Sequence, residues 1–79
     1  MKKMVSVSLN SIDKVKSFVS TLSQFDTDFT LYTGRYVIDA KSIMGIFSLD
    51  LSKPIELHFE ADSDEAMSAI LEALKPYAV

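Results

Sequence analysis

An α+β open-faced β-sandwich, with four antiparallel strands and three helices on one face in the order βαββαβα, is the fold this sequence predicts. Three observations carry it. Apolar and polar residues alternate in four short stretches, the period of a half-buried strand. In three other stretches apolar residues recur at three- and four-residue spacing, the period of an amphipathic helix. Each stretch has only one apolar side. A single sheet under a single helical layer therefore buries what is apolar and leaves the other sheet face in water.

Val5, Val7 and Leu9 alternate with Ser6 and Ser8 and define the first strand. Asn10 and Ser11 end it, and both are good helix-capping types. From Asp13 the period changes: Val15, Phe18, Val19 and Leu22 form one stripe, Phe25 lies a turn further on, and Lys14, Lys16 and Ser17 fall off it. Asp26, Thr27 and Asp28 connect to a second strand, in which Phe29 and Leu31 alternate with Thr30 and Tyr32. Thr33-Gly34-Arg35 is the natural hairpin turn, because glycine supplies positive φ without strain. The strand returns over Tyr36 to Ala40.

Lys41-Ser42 opens a short helical segment from Ile43 to Leu51, with Ser42 as its N-cap. Gly45 inside that segment costs about 1 kcal/mol of helix propensity relative to alanine, so its presence asks for a packing or partner reason. After Lys53-Pro54, Ile55, Leu57, Phe59 and Ala61 alternate with Glu56, His58 and Glu60 in a fourth strand. Asp62 and Glu65 have the spacing of a capping box. Met67, Ile70, Leu71 and Leu74 make the stripe of the last helix, which Pro76 stops.

Composition bounds what such a fold does. Seventy-nine residues, 48% of them hydrophobic, make one domain over 1–79. A net charge of −3 argues against nucleic acid as a partner, since a nucleic-acid binder carries a basic face. There is no cysteine, hence no disulfide and no thiolate metal site. Lys2 and Lys3 precede an alternating stretch rather than the apolar run of a signal peptide, and no stretch reaches the ~18 apolar residues of a membrane span. No membrane association and a cytoplasmic location are the expectations; oligomeric state is left open.

Catalytic chemistry is poorly served. His58 is the one histidine, placed opposite the apolar side of its strand, where a solvated histidine is the ordinary reading. Without cysteine or a second histidine, no transition-metal cluster is expected, and no cofactor is implied. Asp26 and Asp28 fit a turn, and Asp62, Asp64 and Glu65 fit a helix N-terminus, where the dipole favours anions. No glycine-rich phosphate loop or nucleophile elbow is present. An enzyme is not expected. The segment Lys41 to Leu49 stands out: a phosphate on Ser42 would meet backbone N–H groups at the helix start, and Ile43, Met44 and Phe47 exceed one buried stripe. Two readings stand side by side here, a capped helix with a greasy surface and a recognition patch.

Lys41-Ser42-Ile43-Met44-Gly45, followed by Phe47-Ser48-Leu49, closely resembles the regulatory-serine segment of HPr, the small phosphocarrier of the bacterial phosphoenolpyruvate:sugar phosphotransferase system. Phe25-Asp26-Thr27-Asp28-Phe29 resembles the family's entry to its second strand, and Asp62 to Glu65 with the following helix resembles its last helix. Residues 4–75 are covered. The family carries phosphate on a histidine at the start of its first helix, followed closely by an arginine and a proline. Counted from Phe25-Asp26, those places hold Ser11, Asp13 and Lys14. A serine phosphate is an ester and a poor donor, and a carboxylate in the arginine's place repels phosphate. Asp50 stands where many relatives have glycine.

The resemblance thus implies a domain without phosphocarrier activity, switched at Ser42 by an HPr kinase. Its partners would be that kinase, a transcription regulator or phosphotransferase-system proteins, met through Ile43, Met44 and Phe47. The alternatives are a working phosphocarrier with Ser11 or another non-histidine acceptor, and an HPr fold reused as an unphosphorylated interaction module.

Overall fold

The computed structural model describes residues 1–79. Its elements run β1 (Lys2–Val7), α1 (Ile12–Leu22), β2 (Phe29–Thr33), β3 (Tyr36–Asp39), α2 (Ile43–Phe47), β4 (Ile55–Glu60) and α3 (Asp64–Leu74). The order is the expected βαββαβα. The strands form one antiparallel sheet in the order β1-β4-β2-β3. β4 therefore crosses over to lie between β1 and β2, the two strands that flank α1 in sequence.

Register explains which residues meet the helices. Val5 pairs with Leu57, Leu57 with Leu31 and Leu31 with Ile38, so one apolar row crosses the whole sheet. Phe59 and Phe29 pair in the next row, ring centroids 5.4 Å apart. Val15, Phe18 and Leu22 of α1, Ile46 of α2, and Ile70 and Leu74 of α3 close over that face in a single core cluster. Each such large apolar side chain contributes about 1.5–3 kcal/mol by leaving water. No charged side chain is buried, so the core spends nothing on ion desolvation.

The opposite face is the open one. Its rows read Met4–His58–Thr30–Asp39 and Ser6–Glu56–Tyr32–Val37. It is greasier than the alternation implies, since Met4, Tyr32 and Val37 are all exposed there. His58 lies on this face as expected, half-exposed, with Nε2 3.1 Å from Glu56 Oε1 and its ring centroid 4.2 Å from that of Tyr32.

Element ends differ from the sequence reading for local reasons. β1 stops at Val7 rather than Leu9 because the Ser8 N–H donates to the Tyr77 carbonyl instead of continuing the β4 ladder; Leu9 is buried all the same. α1 stops at Leu22 rather than Phe25, with the Ser23 hydroxyl donating to the Val19 carbonyl at 2.7 Å. α2 stops at Phe47, not Leu51. There the Ser48 hydroxyl donates to the Gly45 carbonyl at 2.6 Å and the Leu49 N–H bonds Ile46 O, which tightens the last turn. α3 is capped by Ser63, not Asp62: the Ser63 Oγ accepts the Ala66 N–H at 3.1 Å.

Gly34 has φ +54 at the first of the two residues joining β2 to β3, the conformation a II′-type hairpin needs there. At the chain's end, the Tyr77 ring lies edge-on to Phe18 at 5.3 Å, and its hydroxyl bonds Ser17 Oγ and reaches Thr21 Oγ1. This anchors the tail along β1, where Val7 bridges Ala78 and the Val79 N–H donates to Ser6 O.

Candidate functional site

Two serines share one local geometry. Ser11 precedes α1 in extended conformation (φ −149, ψ 157), and its Oγ accepts the Lys14 N–H at 3.1 Å. Ser42 precedes α2 in extended conformation (φ −94, ψ 102), and its Oγ accepts the Gly45 N–H at 3.3 Å. Each satisfies one of the helix's orphan donors. Both side chains are exposed, so each hydroxyl that caps a helix is also open to solvent. The longer bond at Ser42 is the weaker of the two.

Their electrostatic surroundings differ. The first turn of α1 carries Asp13, whereas that of α2 carries no acidic residue. Lys41, beside Ser42, is committed elsewhere: its Nζ donates to the Phe25 carbonyl at 2.9 Å and lies 5.7 Å from the Phe29 ring centroid. Asp39 accepts the Lys41 N–H on Oδ1 at 2.9 Å and receives the Ser42 N–H on its backbone carbonyl at 3.0 Å. The backbone leading into Ser42 is thereby fixed from the strand side.

Gly45 has a packing reason. A Cβ at that position would lie 2.8 Å from Ile38 Cγ2 and 3.1 Å from Ser42 Oγ. Glycine thus lets α2 approach β3 closely and leaves room for the Ser42 hydroxyl. Of the predicted binding residues, Met44 is the most exposed large apolar side chain, at 76%, and Phe47 is 38% exposed. Ile43 is half-buried and packs against the core. The structure therefore offers Met44 and Phe47 to a partner more fully than Ile43.

Ile12 is 63% exposed directly after the Ser11 cap. Sequence reasoning passed over it, although an isoleucine in the first helical turn outside the stripe was a readable signal. α1 and α2 pack against each other. His58 is not near this region of the fold, because it points from β4 into the face opposite the helices. No group of three potential metal-ligating side chains comes together anywhere in the chain, and no helix is long and apolar enough to cross a membrane.

Comparison with known proteins bears on the family and the fold. The family model described as the phosphotransferase-system HPr component phosphorylation site matches residues 14–77. Among solved structures, the phosphocarrier protein HPr from Bacillus anthracis str. Ames is 32% identical, with a TM-score of 0.72 over 100% of this chain and 96% of that one. HPr-C-His from Thermoanaerobacter tengcongensis is 28% identical, with a TM-score of 0.65 over 94% and 85%. The histidine-containing phosphocarrier protein of a Mycoplasma shares the fold at 20% identity and a TM-score of 0.66, over 96% and 89%.

Proposed function

The chain belongs to the HPr family of the sugar phosphotransferase system, and from that premise we propose that it is a member without phosphocarrier activity, a regulatory protein-binding module switched by phosphorylation of Ser42. It is not an enzyme in this reading. Its partners are an HPr kinase, then a transcription regulator or phosphotransferase-system proteins that recognise the phosphorylated form. Residues 1–79 act as one domain.

The observation that carries the reading is the contrast between the two capping serines. At the start of α1 stands the cap Ser11, to which the family resemblance gives the place of the phosphoacceptor histidine, with Asp13 in the first turn. An imidazole nitrogen accepts and releases a phosphoryl group at low cost; a hydroxyl forms an ester that does not pass it on readily. A carboxylate in the arginine's place adds repulsion. His58 offers no rescue from the opposite sheet face.

At the start of α2 the first turn carries no carboxylate, and that of Asp39, ahead of the cap, is held on the Lys41 N–H. Transfer there breaks the β–γ phosphoanhydride of ATP and forms the Ser42 Oγ–phosphorus bond. ADP leaves, and the hydroxyl proton passes to the kinase. The added charge, about −2, exchanges a neutral cap for an anionic one. It sits at the start of the helix that carries exposed Met44 and Phe47. A partner with a cation set next to an apolar groove would read both at once, with methionine supplying an adaptable contact.

The test is intact mass after incubation with an HPr kinase and ATP, alongside Ser42→Ala and an ordinary HPr. The expected outcome is one phosphoryl group on the wild type and none on the variant. No gain on the wild type while the ordinary HPr is modified removes the switch. In parallel, phosphoenolpyruvate with the family's phosphoryl donor protein should leave the mass unchanged. A gain there, lost in Ser11→Ala, would instead make this a working carrier.

A further inference from the structure

The sheet has two outer edges, and only one of them is protected. At β1, Lys2 and Lys3 place charge along the strand, and the tail covers the other end through the Val7–Ala78 bridge and the Val79 N–H to Ser6 O bond. Both are recognised ways of blocking strand addition. β3 has neither. Tyr36-Val37-Ile38-Asp39 contains no lysine, proline or bulge, and Tyr36 and Val37 are 64% and 61% exposed.

From this edge we propose that two copies of the chain associate by antiparallel pairing of β3 with β3, with Val37 facing Val37 across a two-fold axis. Hydrogen-bond direction fits. The two-residue hairpin makes Thr33–Tyr36 a hydrogen-bonded pair, and the alternation continues to the Ala40 N–H on Phe29 O. Tyr36 and Ile38 thus turn their backbone groups toward β2, while Val37 and Asp39 turn theirs outward. Asp39 O already accepts the Ser42 N–H and keeps a second lone pair.

Charge selects the register. With Val37 opposite Val37, Arg35 of each copy faces Asp39 of the other, at both ends of the pairing. A shift in one direction sets Arg35 against Lys41. A shift in the other sets it against Val37 and loses both ion pairs. Larger shifts oppose Arg35 to Arg35 or Asp39 to Asp39. Val37 and Asp39 stand on the open face of the sheet, in the rows of Tyr32 and Thr30, with Arg35 in the adjoining turn, so pairing also covers exposed Val37 with its own copy. Because β1 is blocked, growth stops at a closed dimer rather than a fibre. The interface is small, so association is weak, with a dissociation constant of roughly 10 μM to 1 mM.

Sedimentation velocity from about 10 μM to about 1 mM tests this, with circular dichroism to confirm that each variant is folded. The wild type should move from monomer to dimer over that range, and less so in high salt. Arg35→Asp should raise the dissociation constant roughly tenfold or more, as two attractive pairs become two repulsive ones. Asp39→Arg alone should do the same. An equimolar mixture of the two single variants should recover association, because every pair then joins Asp to Arg. Should Asp39→Arg not fold, Val37→Pro takes its place: it removes only an outward N–H and should abolish the dimer. A wild type monomeric throughout, a dimer indifferent to Val37→Pro or Arg35→Asp, or a mixture no better than its components would each overturn the proposal.

Discussion

Gly45→Ala sets two opposed effects against each other at a position where the structure gives the distances. Helix propensity favours alanine by about 1 kcal/mol. Against that, the new Cβ would stand 2.8 Å from Ile38 Cγ2 and 3.1 Å from Ser42 Oγ. A 2.8 Å carbon–carbon approach is not accommodated without movement. The atom it meets is the branch methyl of a β-branched residue, which is stiff at χ1, pairs with Leu31 of β2 and packs against the core. Overpacking of this kind costs about 1–3 kcal/mol. The net expectation is a loss of about 1 kcal/mol, or a fall of about 4–8 °C in Tm for a domain of this size. Urea unfolding followed by circular dichroism measures it. The same substitution in an Ile38→Ala background should be neutral or stabilising, because the methyl it strikes is gone. A Gly45→Ala protein more stable than wild type, or a penalty unchanged in the Ile38→Ala background, would refute the argument that close approach of α2 to β3 is why glycine is there.

Three further expectations follow from single contacts. Ser63→Ala should cost about 1 kcal/mol through loss of the α3 cap, while Asp62→Ala stays within about 0.5 kcal/mol; urea midpoints that rank the two the other way would restore Asp62 as the cap. Tyr77→Phe keeps the ring on Phe18 but removes the hydroxyl's bond to exposed Ser17, and should cost about 1 kcal/mol with the fold intact. The Asp50 carboxyl lies below its ordinary value of 3.8 because the Ser52 hydroxyl, then the Ser52 N–H, donate to it, with Lys53 adding a smaller attraction. A depressed carboxyl favours the folded loop above 3.8 and loses that contribution as pH falls through its lower folded value. The Ser52 amide resonance should therefore titrate with a midpoint under 3.8, and a midpoint at or above it would contradict the bonding described.

What was legible in the sequence was whatever depends on period. Strand and helix identity, the placement of His58 away from the core, and the hairpin at Gly34 all follow from alternation or from a residue type with one physical use. Element ends were less legible, because side chains competing for the same backbone groups decide them. Asp62 and Ser63 are both competent caps, and the spacing to Glu65 pointed to the wrong one. α2 ends early because Ser48 takes the Gly45 carbonyl, an interaction with no periodic signature. The Tyr77 anchor was invisible for a related reason: it follows Pro76, belongs to no stripe, and acquires its role only when α1 brings Ser17, Phe18 and Thr21 to one place. The two capping serines were readable as caps, and the exposure of Met44 as an excess over one buried stripe.

The scaffold alone says little about which chemistry survives on it. Both serines occupy helix starts that present backbone N–H groups, and both hydroxyls face solvent. A fold-level argument would treat them alike. What separates them is charge and the character of the acceptor atom. Ser11 has a carboxylate in its helix's first turn, while Ser42 has none there and has an exposed methionine two residues on. An anion that must be taken up and released needs a leaving nitrogen and a nearby cation; an anion that only marks a surface for a partner needs neither. On the proposed reading the α1 site lacks the nitrogen, and Asp13 offsets the charge of Lys14 in the same turn. On the same reading the α2 site needs only an exposed hydroxyl, and the missing Cβ of Gly45 leaves room beside it. If the proposed switch holds, the residues around the two caps carry the function, and replacing Asp13 should change the balance between them.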